Sequence, residues 1–194
     1  HVVVSTTAFR GLVSAAETTR ATLLLTGWPG HGPAEAEEAL ADSLDRHLRT
    51  HLVLFKEEGA VPAGRILVLL DDTSHGELAL LVASRLTAAW EAELTVASVV
   101  DPYADEEERL AAEDGIEAEV GVSVRATVRA IPAATPLQAL EEESKRNDLI
   151  VLGVSGMGTA SVREAVESLA SLEGCSLALV RAHPEAPLET GRRS

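Results

Sequence analysis

The chain contains part of itself twice, and this repeat constrains its fold more than any other feature. Pairing residues 126 positions apart lays Glu17-Thr-Thr-Arg-Ala-Thr-Leu-Leu-Leu-Thr-Gly-Trp-Pro-Gly-His-Gly32 on Glu143-Ser-Lys-Arg-Asn-Asp-Leu-Ile-Val-Leu-Gly-Val-Ser-Gly-Met-Gly158. Glu17, Arg20, Leu23, Gly27, Gly30 and Gly32 each meet an identical residue, and Ala34, Glu38 and Ala39 continue the match with Ala160, Glu164 and Ala165. After one gap, His51-Leu-Val-Leu-Phe55 falls on Ser176-Leu-Ala-Leu-Val180. Self-similarity of this kind marks a structural unit used more than once. The repeat is lopsided, because residues 65–120 have no counterpart; theirs would stand upstream of His1. The organisation expected is therefore the C-terminal half of a module over 1–56, a linker over 57–64, a complete module over 65–183 and a flexible tail over 184–194. The linker region Lys56-Glu-Glu-Gly-Ala-Val-Pro-Ala-Gly64 is charged and then rich in Gly and Pro, as a connection without its own structure should be.

Within the complete module, short apolar runs alternate with amphipathic stretches. Ile66–Leu70 and Leu149–Leu152 are continuously apolar and Leu94–Val100 is apolar but for Thr95 and Ser98, which predicts buried strands. A further strand is expected within Gly121–Ala130 and a fifth at Leu177–Val180. Ser74 and Glu77 have capping-box spacing, and the helix after them places Leu78, Leu81, Val82, Leu86 and Ala89 on one face. Asp105–Val120 reads as an acidic helix with a solvated face. Thr135-Pro-Leu-Gln138 combines a capping box with proline at the first helical position, opening a helix that runs to about Arg146. A last helix follows the glycine loop and ends near Gly174. Strands of this type alternating with helices predict an α/β fold, a three-layer open parallel sheet covered on both faces.

Composition narrows the function. The 16 basic and 31 acidic residues give a net charge of −15, which repels phosphate backbones and anionic lipid, so nucleic acid is excluded as a partner. The single cysteine, Cys175, allows no internal disulfide and fits a reducing, cytoplasmic compartment. No apolar run has the length of a bilayer span and no signal peptide is visible. The chain starts at His1 rather than Met, as expected of a piece of something longer.

Three segments carry a resemblance to the universal stress protein family. Ile66-Leu-Val-Leu-Leu-Asp-Asp-Thr-Ser-His-Gly-Glu-Leu-Ala79 resembles that family's opening strand, its Asp-Gly-Ser turn and the helix behind it. Asp148-Leu-Ile-Val-Leu-Gly-Val-Ser-Gly-Met-Gly158 resembles its fourth strand and glycine loop, and Cys175-Ser-Leu-Ala-Leu-Val180 the lead into its last strand. The resemblance implies a flavodoxin-like, adenine-nucleotide-hydrolase-like sheet with strand order 3-2-1-4-5 and a homodimer formed through strand-5 edges. In some members it also implies an ATP site above the carboxyl ends of the first and fourth strands. Carried over residue by residue, that site would consist of Asp71, Thr73, Val100, Gly153, Gly156, Gly158 and Ser161.

The residues themselves argue against a working ATP site. The family loop has Gly, two residues, Gly, nine residues, then Gly-Ser or Gly-Thr, which lets backbone amides and a helix N-terminus meet phosphate. Here Gly153 and Gly156 fit, but Val166-Glu167 stands at the closing pair; a shortened loop would offer Ala160-Ser161 instead. Asp72 replaces the glycine beside Asp71 and adds negative charge. No Lys or Arg lies in 153–162, and Arg163 is the nearest cation. The glycines are equally what a tight strand-to-helix turn requires, and that reading is preferred. The half copy keeps Gly27, Gly30 and Gly32 but closes on Asp42-Ser43, and Trp28 in its loop reads as packing or a partner contact.

Other chemistry finds little support. His47 and His51 stand four apart without a third ligand, so a metal site is not expected. Cys175 precedes a buried strand and reads as an inert core thiol. Asp71 and Asp72, adjacent in an extended chain, point to opposite faces and make no acid/base pair. The expectation is no enzyme, and no cofactor unless ATP or AMP is bound. Tandem modules of this kind, and Leu23-Leu-Leu-Thr-Gly-Trp-Pro-Gly30 in particular, resemble the cytosolic tails of amino-acid permeases and cation–chloride cotransporters. That implies a regulatory or dimerising domain attached to the membrane part of a parent transporter. The alternative is a free tandem stress protein binding ATP or AMP. In the half module, a fourth strand at Thr22–Thr26 without a first strand beside it leaves an apolar edge unpaired.

Overall fold

The computed structural model describes residues 8–28, 48–58, 61–121, 124–158, 161–184 and 186. Seven strands form one sheet: β1 (Leu23–Gly27), β2 (His51–Lys56), β3 (Arg65–Leu69), β4 (Glu93–Val100), β5 (Thr127–Pro132), β6 (Leu149–Gly153) and β7 (Ser176–Arg181). Their spatial order is β1-β2-β7-β6-β3-β4-β5. The five strands of the complete module, β3 to β7, therefore lie in the expected order 3-2-1-4-5 and pair in parallel. The sheet differs from the expectation in detail, because β1 and β2 extend it and β2 meets β7 antiparallel.

Among the described residues five helices cover the sheet: α1 (Ala8–Thr19), α2 (Ser74–Trp90), α3 (Glu106–Val120), α4 (Pro136–Glu143) and α5 (Val162–Leu169). Alternate residues of the central strands feed two cores. Leu67, Leu69, Ile150, Leu152, Leu177 and Leu179 pack with α4 and α5 on one face, and α1 joins them through Ala16. Ile66, Val68, Leu149, Val151, Ala178 and Val180 pack under α2 and α3 on the other. Strands apolar at every position are what burial on both faces requires. No helix among the described residues is long and apolar enough to cross a membrane.

In two strands the structure follows the internal match of the sequence. β1 spans the positions that map onto β6, and β2 those that map onto β7. The third strand expected in the half module lies outside the described residues, as do Gly30, Gly32, Asp42 and Ser43. The two fifth strands, offered by the sequence as edges for a homodimer, pair with each other inside this chain, Leu52 opposite Arg181 and Lys56 opposite Leu177. Each satisfies the other's backbone groups, so a second chain finds no free backbone on that side of either strand. Among the described residues the unpaired edges of the sheet are β1 and β5.

Local signals fixed the helix starts with one shift. Thr73, not Ser74, caps α2, its hydroxyl accepting from the His75 and Gly76 amides. Thr135 caps α4 with Pro136 behind it, while Gln138 reaches back to the Ala134 amide. On α2 the buried positions are Gly76, Leu78, Ala79 and Ala83; Leu81, Val82 and Leu86 are partly covered and Ala89 is exposed. Small residues lie deepest because the helix packs close to the sheet.

Candidate ligand site

A cavity of about 690 Å³ opens where β3 and β4 end, beside the turn that follows β6. Chains leaving neighbouring strands in opposite directions create a crevice at this switch point, the usual ligand position in open α/β sheets. Asp71 and Asp72 line it from β3, Ser98 to Val100 from β4, and Ser155, Gly156 and Gly158 from the turn after β6. α3 contributes Gly115, Ile116 and Glu119.

Of the seven residues expected at a nucleotide site, Asp71, Val100, Gly156 and Gly158 line this cavity; Thr73, Gly153 and Ser161 do not. Ser161 caps α5 by accepting the Glu164 amide at 3.2 Å. Ala160 lies outside the described residues. Gly153 answers to packing: a Cβ there would come within 2.7 Å of the His75 Cβ, so glycine is what lets α2 begin against β6. Gly158 has φ +68° and closes the short 3₁₀ turn Ser155–Met157, a conformation glycine adopts without strain. The fold thus accounts for Gly153 and Gly158, whereas a Cβ at Gly156 would only touch Asp71 Oδ2 at 3.4 Å.

The side chains at the mouth are tied to one another. Ser155 Oγ donates to Asp71 Oδ2 at 2.6 Å and Thr73 Oγ1 donates to Asp71 Oδ1 at 2.5 Å, while the two hydroxyl oxygens stand 2.7 Å apart. Asp71 therefore braces the turn after β6 against the start of α2. Asp71 and Asp72 both line the cavity, contrary to the alternation expected of an extended pair, because the strand ends at Leu69 and the backbone bends at Asp72.

The electrostatics are one-sided. Asp71, Asp72 and Glu119 line the cavity, and the described lining residues include no Lys, Arg or His. Burial raises the Glu119 carboxyl above its ordinary value, and Asp72, Glu77 and Asp71 raise it further. Arg163, the nearest cation in sequence, pairs with Glu167 at 2.8 Å along α5. Among the described residues no group of His, Cys, Asp and Glu is arranged to hold a metal. His51 lies buried in β2, where its Nδ1 accepts the His183 amide at 3.1 Å; His47 lies outside the described residues.

Sequence reasoning missed Glu119 and the α3 wall. The signal was present in Ala112, Gly115, Ile116 and Glu119, whose spacing of three and four puts them on one helical face. The acidic pattern of Asp105–Val120 points instead to a helix with a solvated face.

No protein-family model matches the sequence, and no curated protein matches it. Solved structures do. The cytoplasmic domain of a prokaryotic cation chloride cotransporter matches with a TM-score of 0.64 at 15% identity, over 91% of this chain and 72% of that one. A universal stress protein from Archaeoglobus fulgidus matches with a TM-score of 0.60 at 16% identity, over 90% of this chain and 66% of that one. A functionally unknown protein from Pseudomonas aeruginosa gives 0.61 at 14% identity, over 92% and 69%. The chain thus spans just under two thirds of the Archaeoglobus protein's length. The fold is that of the universal stress proteins.

Proposed function

We propose that this chain is a non-catalytic, cytosolic regulatory domain of the universal stress type, belonging to an amino-acid or cation transporter. One observation carries the reading. The cavity that would receive a nucleotide presents Asp71, Asp72 and Glu119 and no described cation, so phosphate charge would be opposed rather than balanced. The hydroxyls of Ser155 and Thr73 are directed at Asp71, which leaves the turn braced internally. The transporter part is supported by the likeness to a cotransporter's cytoplasmic domain, at an identity that speaks for the fold. Assembly with a second chain would use surfaces other than the joined edges of β2 and β7.

A second reading, a free tandem stress protein binding ATP or AMP, is favoured by the cavity's size. Its volume of about 690 Å³ lies within the range of about 300–1,000 Å³ that small ligands occupy. Phosphate release from Mg-ATP separates a catalytic domain from a regulatory one. No release above buffer is expected. Release that scales with protein and is abolished by Asp71→Asn would overturn the non-catalytic reading.

A further inference from the structure

We infer that the free edge of β1 is a docking site for one further parallel strand and its helix, a unit of the β3–α2 type. The inference comes from comparing β1 with β6, the strand it repeats. β6 pairs on one side with β7 and on the other with β3, Ile66 to Leu69 lying parallel to Leu149 to Leu152. Among the described residues β1 pairs with β2 on the first side and has no neighbour on the second. Among them, the position held by β3 in one copy is open in the other.

Side-chain burial shows what is missing. Leu149 and Val151 are 0% exposed and lie in the core beneath α2, against Leu78, Ala79 and Ala83. Their repeat counterparts Leu23 and Leu25 are 38% and 63% exposed. On the opposite face Leu24, the counterpart of Ile150, packs into the core that α1, α4 and α5 share. Among the described residues, the face that α2 would cover is left bare at Leu23 and Leu25. A strand alone would leave it so, and the occupant therefore includes a helix.

Gly27 points to the same unit independently. In β6 the equivalent Gly153 is required because the first turn of α2 passes so close that a Cβ would meet His75. At Gly27 a Cβ would meet nothing within 4 Å among the described residues. Its backbone needs no left-handed conformation, so nothing described around it accounts for a glycine in this strand. A helix entering as α2 does beside β6 would account for it. The chemistry of the occupant follows from β3 and α2: a run of Leu, Ile and Val opposite Leu23 to Thr26, then a helix with small residues on its inner face.

The test repeats residues 65–126 ahead of His1, which supplies the unit in the frame that the repeat sets. Amide hydrogen exchange over 23–27, followed by mass spectrometry, is expected to slow about tenfold or more relative to the unextended chain, as edge amides become paired. Leu25→Lys, tolerated in the unextended chain, is expected to abolish that protection in the extended one. An extension that stays unfolded, or folds without slowing exchange over 23–27, overturns the inference, because the same unit folds beside β6 in this protein. A dimer of the unextended chain that Leu25→Lys dissociates, and that persists in the extended chain, also overturns it, by assigning the edge to a second copy.

Discussion

Lys56 and Arg181 stand at equivalent ends of β2 and β7, and each reaches across the antiparallel junction to a carbonyl of the other copy. Lys56 Nζ donates to the Leu172 oxygen at 2.6 Å, and Arg181 Nη2 donates to the Leu48 oxygen at 2.9 Å. Bonds from charged donors are worth about 1.5–3 kcal/mol, and Arg181 is buried, so Arg181→Met is expected to cost about 2 kcal/mol. Urea unfolding measures it as a lower midpoint with an unchanged slope. Lys56→Met should act in the same direction, less strongly because its bonds to the Ala170 and Leu172 carbonyls and to Glu58 lie nearer the surface than the buried Arg181 bond.

Gly27 and Gly153 occupy the same repeat position with opposite consequences. Gly153→Ala forces the new methyl against His75 and is expected to destabilise the protein by about 1–3 kcal/mol. Gly27→Ala meets open space and is expected to be neutral or stabilising by up to about 1 kcal/mol, through the unfolded chain. Thermal melts of the two variants side by side check the contrast.

Asp148 fastens the start of β3. The Arg65 side-chain bond at 3.0 Å, joined by bonds from the Gly64 and Arg65 amides, holds its carboxyl below the ordinary value despite some opposing burial. A carboxyl depressed on folding contributes stability above its unfolded pKa of about 3.9, and that contribution disappears as pH falls through the folded value. Asp148→Asn is therefore expected to flatten the acid limb of the stability curve. The measurement is the urea midpoint from about pH 6 down to about pH 3, in wild type and variant.

Cys175 is buried, and burial followed by the Glu58 carboxylate pushes its thiol up to about 11. Because the thiolate is the reactive form, a disulfide reagent is expected to leave the native protein unmodified near neutral pH and to label it stoichiometrically once unfolded. Ellman titration with and without denaturant distinguishes the two states.

Much of the fold was legible because its signals are local. Continuous apolar runs fixed the strands, Thr135-Pro-Leu-Gln138 fixed α4, and the repeat placed β1 and β2 on β6 and β7. What escaped depends on tertiary neighbours. Thr73 and Ser74 are both able to cap α2, and the choice is set by Asp71 and Ser155, which hold the Thr73 hydroxyl. Two apolar fifth strands announce two edges to be covered, but not that they cover each other. Glu119 looked like one more acid on a solvated helix until α3 was placed over the ends of β3 and β4. The candidate site was legible on its strand side and hidden on its helix side.

The proposed unfitness of this cavity for phosphate is measured by calorimetric titration with ATP, ADP and AMP. No saturable heat is expected from any of the three at ligand concentrations up to about 1 mM, and a dissociation constant tighter than about 100 μM for any of them would overturn the proposal.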